Sequence, residues 1–142
     1  MNRNYKNGQS TINGFLDDYA FTIQAFIGLY QATLDEKWLI EADELMEHAL
    51  SHFGDTNSLM FFYTSDEDKA LVARKMEVTD NVIPSSNSAM AKNLYVLGKL
   101  LYKDEYIRRS SQMLNNVKAQ TSTGMSYYAN WDILLSWHVS EP

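Results

Sequence analysis

The chain matches itself at an offset of 68 residues. Placing Trp38 over Tyr106 also superimposes Leu29 on Leu97, Leu39 on Ile107, Leu45 on Met113, Met46 on Leu114 and Ala49 on Val117. The joining segments agree in character, Leu34-Asp35-Glu36-Lys37 against Tyr102-Lys103-Asp104-Glu105. A fixed period of this kind marks stacked supersecondary units, each unable to bury its apolar face alone. The apolar spacing is helical on both sides of each joint, so the unit is a helical hairpin.

Two prolines and six glycines in 142 residues leave room for long helices, and periodicity predicts about five of them. From Phe15 to Leu34, Leu16, Tyr19, Ile23, Phe26, Ile27 and Tyr30 form one stripe, while Ala20, Phe21, Ala25, Leu29 and Ala32 occupy the other side. A helix apolar nearly all round is buried on several sides. From Glu36 to about His52, Trp38, Ala42, Leu45, Met46, Ala49 and Leu50 oppose Glu36, Lys37, Glu41, Glu44, Glu47 and His48, which gives this helix a solvent side. The alternation recurs: Ser86 to Tyr102 is apolar over most of its circumference, Asp104 to Lys118 is amphipathic, and Ser126 to Val139 is again rich in large apolar side chains. Inner and outer helices in two concentric rings would alternate in this way. Between the second and third helices, Leu59 to Thr64 and Ala70 to Arg74 flank the acidic turn Ser65 to Lys69, a pattern that predicts two short strands. The expected fold is therefore all-α, a partial ring of about five alternating helices with one short β-hairpin arm.

Composition narrows the function classes. A formal charge of −6, with 12 basic residues scattered along the chain, argues against a nucleic-acid partner, which needs clustered Lys and Arg. The absence of cysteine excludes disulfides and thiolate metal sites from this chain. No apolar run reaches the roughly 20 residues of a bilayer span, and no signal segment opens the chain, so neither a membrane partner nor export is expected and the location is read as cytoplasmic. The length suits a single domain.

Two longer motifs carry a family resemblance. Gly14-Phe15-Leu16-Asp17-Asp18-Tyr19-Ala20-Phe21, followed by Leu29-Tyr30-Gln31-Ala32-Thr33 and Trp38-Leu39, resembles the C-terminal helical region of the YyaL and spermatogenesis-associated family of thioredoxin-domain-containing proteins. So does Asp80-Asn81-Val82-Ile83-Pro84-Ser85-Ser86-Asn87-Ser88, preceded by Arg74-Lys75. The resemblance runs from about Tyr5 to beyond Trp131. It implies an (α/α)6 toroid similar to six-hairpin glycosidases and sugar epimerases, placed after an N-terminal thioredoxin-like domain. Nothing in this chain resembles the thioredoxin part, so residues 1–142 are expected to be a fragment, about half of the toroid. The remaining hairpins and the thioredoxin-like domain would be its partners in the full-length protein. The chain departs from the family pattern at Ser86, where the family tends to have Gly, and at Asn57-Ser58-Leu59, where it tends to have a Gly-rich turn.

The repeat sets Asp17-Asp18-Tyr19 over Ser85-Ser86-Asn87, at the N-terminal ends of two inner helices and hence on one rim. Free N–H groups and the positive helix end favour anionic or hydroxyl-rich ligands there, although helix capping demands the same residue types. The candidate ligand-binding residues are Asp17, Asp18, Tyr19, Asp80, Asn81, Ser85, Asn87 and Trp131, with Asp18 and Asp80 the catalytic candidates. Glycoside cleavage needs two facing carboxyl groups, about 5 Å apart for retention or about 6.5–9.5 Å for inversion. Consecutive helical residues diverge by about 100°, so a facing pair would join Asp17 or Asp18 to Asp80 or Asp132. Tyr19, Tyr30, Tyr127, Tyr128 and Trp131 read first as core and second as a sugar platform, with Trp131 beside Asp132 the best exception.

Glu44, His48 and His52 stand at i, i+4 and i+8, a spacing at which side chains can share a metal, but they read as a solvated outer face. Asp66-Glu67-Asp68 lacks the Gly and the alternating oxygens of a calcium loop. No metal and no cofactor are expected. The functional expectation is a toroid segment that takes a carbohydrate-type ligand at its rim, without activity by itself. The alternatives are a glycoside-hydrolase or epimerase-like site on the Asp17–Tyr19 and Asp80–Ser88 rim, or a helical interaction module. Exposed flanks of the inner helices predict homo-oligomers.

Overall fold

In the computed structural model, which describes residues 1–69, 73–121 and 125–140, the repeat is visible in the backbone itself. Helices α1 (Leu16–Thr33) and α2 (Glu36–Phe53) form one hairpin, and α3 (Ser86–Leu101) and α4 (Asp104–Thr121) form the next. A single 3-10 turn, Met125–Tyr127, leads into α5 (Ala129–Val139). Both hairpins turn through the same device. Leu34 and Tyr102 occupy the left-handed region at φ 56° and 57°, and their N–H groups close onto the carbonyls of Tyr30 and Gly98. A left-handed non-glycine residue costs about 1–2 kcal/mol, so its recurrence at equivalent positions means that the packing of each hairpin enforces it. Asp35 then caps α2 by accepting from the Lys37 N–H at 3.1 Å.

The chain divides into two compact units, the first comprising Met1–Asp55 and Phe61–Met76, the second Thr56–Met60 and Glu77–Pro142. In the first, Leu16, Tyr19, Ala20, Ile23 and Ile27 of α1 are buried, as are Leu39, Ala42, Met46, Ala49 and Phe53 of α2. The remainder of α1 does not match the expectation of burial on several sides: Ala25, Gly28, Leu29 and Ala32 are exposed. The charged face of α2 is solvated as expected.

Among the described residues the predicted β-hairpin arm is not seen. Among the described residues the only bridges are the isolated pairs Asn2–Asn13, Lys6–Gln9 and Gly54–Phe61, and Ala70, Leu71 and Val72 of the second predicted strand lie outside the described residues. The reason is packing. Met60 and Phe61 are consecutive and both buried, which a one-faced strand forbids, and Leu59 is left-handed at φ 63°. The run instead crosses the end of α2: Phe62 N–H donates to Phe53 O at 2.8 Å, and Arg74 donates to the carbonyls of His52 and Thr64 while lying 4.3 Å over the Phe62 ring. A tight antiparallel turn occurs at the N-terminus, where Asn7 and Gly8 both have positive φ and Lys6 and Gln9 exchange two backbone hydrogen bonds. Asn-Gly at the centre of a two-residue turn is the strongest short-range hairpin signal, and the apolar spacing does not reveal it.

In the second unit α3 is buried over most of its surface, including every residue from Ser86 to Ala91. Its close approach to α4 depends on Gly98, where a Cβ would lie 2.6 Å from Ile107 Cγ1 and 3.1 Å from the Lys103 carbonyl oxygen. Ser110 of α4 is buried and donates to Ala91 O at 2.8 Å. On α5 only Trp131 and Leu134 are buried, whereas Ile133 and Val139 are exposed, so this helix is covered on one side rather than all round. Lys92 reaches Asn130 Oδ1 at 2.8 Å, and the Tyr95 hydroxyl donates to Trp137 O at 2.9 Å. Among the described residues no helix is long and apolar enough to cross a membrane.

Candidate functional site

Asp17 and Asp18 stand in the first turn of α1, where free backbone N–H groups and the helix dipole favour negative charge. Gly14 lets the chain enter this turn, since a Cβ there would lie 3.2 Å from both the Met1 carbonyl oxygen and the Tyr19 ring. Each carboxylate is held. Asp18 Oδ2 accepts from the Phe15 N–H at 2.8 Å and pairs with Arg3 Nε at 3.0 Å. Asp17 accepts from the Tyr63 hydroxyl at 3.1 Å through one oxygen and from the Asp18 N–H at 2.9 Å through the other. The Arg3 guanidinium lies 4.6 Å over the Phe15 ring, which in turn packs on Tyr63 at 5.0 Å. The N-terminal turn thus carries a cation to Asp18, a contribution that the spacing of residues does not disclose.

Asp17, Asp18 and Arg3 line one open cleft of about 460 Å³ with Phe21, Thr22 and Ala25. It offers two carboxylates as acceptors, a guanidinium as donor and a half-buried aromatic ring, a combination suited to a hydroxyl-rich ligand with an apolar face. Tyr19 is not among the lining residues. It is buried, its ring stacks on His48 at 5.3 Å, and its hydroxyl accepts from Met1 N at 2.8 Å. Burial, and then the charges of Glu67 and Asp18, push the Tyr19 phenol above its ordinary range.

The candidates in the second unit are used differently. Asp80 is 4% exposed, and its carboxylate is occupied. One oxygen accepts from the Ser85 N–H at 2.9 Å and the Ser88 hydroxyl at 2.6 Å, and the other accepts from the Asn130 N–H at 2.9 Å. Ser85 caps α3 by accepting from the Ser88 N–H at 3.1 Å, and Asn87 donates to Glu77 O at 2.8 Å. Trp131 is fully buried and donates through Nε1 to Val78 O at 2.8 Å. Asn81 is exposed in a turn with Val82 and Ile83, and Asp132 is half-buried in the first turn of α5. Asp17 and Asp18 therefore share a cleft in the first unit, while Asp80, Ser85 and Trp131 belong to a buried network in the second.

Of the Glu44, His48 and His52 row, the two imidazoles meet carboxylates from the 65–68 loop rather than Glu44. Burial, and then the neighbouring His52, hold His48 below the ordinary imidazole range.

Paired helical hairpins in tandem define an all-α protein, consistent with a partial helical toroid. The chain matches Glycosyl hydrolase family 76 over residues 3–134 and belongs to that family. It is 30% identical over 122 residues to an uncharacterized protein of Caenorhabditis elegans, an alignment that takes in 86% of this chain and 16% of that protein. It is 35% identical over 82 residues to spermatogenesis-associated protein 20 of Homo sapiens, over 57% of this chain and 10% of that protein. The rat protein of the same name is 34% identical over the same length. The chain thus spans a small part of the curated relatives it matches.

Proposed function

We propose that this chain is a segment of a larger family protein that holds a carbohydrate-type ligand in the Asp17–Asp18 cleft, without cleaving it alone. The observation that carries this reading is the convergence of both carboxylates, Arg3 and Phe21 on one open cleft. Binding is favoured over cleavage because the other catalytic candidate, Asp80, already accepts three hydrogen bonds in a buried site. In the full-length setting the remaining hairpins of the toroid and a thioredoxin-like domain accompany the segment, and the setting is cytoplasmic, with neither nucleic acid nor membrane as partner. Calorimetric titration with a panel of neutral oligosaccharides tests it. One class is expected to bind, and Asp17→Asn to weaken that binding about 10-fold or more, the loss of one charge-assisted hydrogen bond. Absence of binding across the panel, or binding indifferent to Asp17→Asn, sinks the proposal. Release of reducing sugar would instead favour the glycoside-hydrolase alternative.

A second reading, self-association, rests on the repeat. Leu97 of α3 is fully buried, whereas its equivalent on α1, Leu29, is 39% exposed beside Ala25 and Ala32. A helix with this apolar flank fits a second copy of the chain, and light scattering is expected to report a dimer that Leu29→Glu returns to monomer. A strictly monomeric wild-type chain at high concentration would remove this reading.

A further inference from the structure

Helix α2 and the loop of residues 65–68 carry a second group of chemically capable side chains, none of which lines the acidic cleft. His48 and His52 lie one helical turn apart, with ring centroids 4.4 Å from each other. The loop that follows brings Glu67 and Asp66 to them: Glu67 Oε2 lies 3.9 Å from His48 Nε2, and Asp66 Oδ1 lies 2.8 Å from His52 Nδ1. One ligand atom each from His48, His52 and Glu67 fall within 4.8 Å of one another. We propose that His48, His52 and Glu67 form a binding site for a divalent transition metal ion of the zinc type, with Asp66 as the residue that orients His52.

The three ligand atoms, within 4.8 Å of one another, need to draw in by less than an ångström or so to share an ion. Zinc binds imidazole nitrogen at about 2.0–2.1 Å and carboxylate oxygen at about 2.0–2.2 Å, so two ligands on one ion stand between three and four ångströms apart. The observed His48–Glu67 separation of 3.9 Å already lies in that range. Two imidazoles and one carboxylate make a borderline-soft donor set that suits zinc, cobalt or nickel over magnesium or calcium, and three protein ligands leave a position for water. Asp66 engages Nδ1 of His52 and so leaves Nε2 as the nitrogen that would ligate the ion, the outer-shell arrangement that commonly fixes the tautomer of a ligating histidine.

The loop is also held in place. Asp66 N–H donates to His52 O at 3.0 Å, Glu67 N–H donates to the buried Ser65 hydroxyl at 3.1 Å, and Asn13 donates to Asp68 at 2.7 Å. Tyr19 backs the His48 ring from inside the hairpin. A metal ion here would clip the loop to α2. Reading along the helix alone pairs the histidines with Glu44, whereas the fold supplies Glu67 from the loop.

The test uses the tag-free chain, stripped with a chelator and titrated with zinc chloride by calorimetry, with cobalt absorption to report coordination geometry. The expected result is one ion per chain with a dissociation constant on the order of micromolar, a tetrahedral or five-coordinate cobalt spectrum, and a higher thermal midpoint in zinc. His52→Ala and Glu67→Gln are each expected to weaken zinc binding about 100-fold, and Asp66→Asn about 10-fold. Glu44→Gln should leave it unchanged. All four positions lie outside the core, and circular dichroism confirms that each variant is folded. Sub-stoichiometric zinc uptake, or uptake unchanged by both His52→Ala and Glu67→Gln, overturns the proposal. So does a loss caused by Glu44→Gln and not by Glu67→Gln.

Discussion

Replacing Asp80 with Ala should lower the stability of the second unit by about 3–5 kcal/mol, enough to unfold a domain of ordinary stability. The buried carboxylate ties three places together: the Ser85 N–H at the start of α3, the Ser88 hydroxyl in its first turn and the Asn130 N–H at the start of α5. The Asp80 backbone adds a fourth tie, its N–H donating to Tyr127 O at 2.8 Å. Removing the side chain leaves donors without an acceptor in a site that water does not reach freely. It also removes the negative charge facing Lys92, whose ammonium burial already pushes below the ordinary lysine range while Asp80 pulls it back. Asp80→Asn keeps the shape but turns one acceptor into a donor, and is expected to cost about 1–3 kcal/mol. Urea unfolding, with hydrogen exchange at α3 and α5 amides, measures both. A loss below about 1 kcal/mol for Asp80→Ala would show that the network is dispensable.

Trp131→Ala is expected to cost about 3–5 kcal/mol through the lost apolar burial and the cavity left behind. Trp131 is among the largest side chains with no exposure, and it bonds to the segment that carries Asp80. Val78 O accepts both the indole N–H, at 2.8 Å, and the Ser85 hydroxyl, at 3.0 Å. Trp131→Phe retains most of the burial and isolates the hydrogen bond, with an expected cost of about 1–2 kcal/mol. Because Asp80 and Trp131 both fix residues 78–80, the double variant should lose less than the sum of the single losses. Strict additivity in denaturant titrations would contradict a shared network.

These two residues show which part of the site was legible. The sequence singles out both as rim candidates, weighing helix capping against ligand contact for Asp80 and core packing against a sugar platform for Trp131. Residue type cannot decide between those roles, since Asp and Ser at a helix start serve either. The donors that occupy the Asp80 carboxylate come from the start of α3 and from α5, the latter 50 residues away. Asp17 and Asp18 carry the same ambiguity: Asp18 accepts from the Phe15 N–H as a cap does, and both side chains also line an open cleft. Arg3 was not legible as their partner, because its approach depends on the Asn7-Gly8 turn that folds the N-terminal residues back. The run Leu59–Thr64 misled for a related reason: high β propensity describes a half-buried pleated surface, and here Met60 and Phe61 are buried together instead.

What the sequence determined by itself was the repeat and what repeats. The spacing of apolar residues and the 68-residue offset locate both hairpins and the starts of α2, α3 and α4. These follow from interactions within a few residues, which helical geometry makes periodic. The tertiary structure alone decided which acids are buried and which face a cleft, and which carboxylate meets His48 and His52. Those outcomes depend on donors and cations brought from distant positions, and a charged side chain takes its role from the partners that reach it and from how far water is excluded.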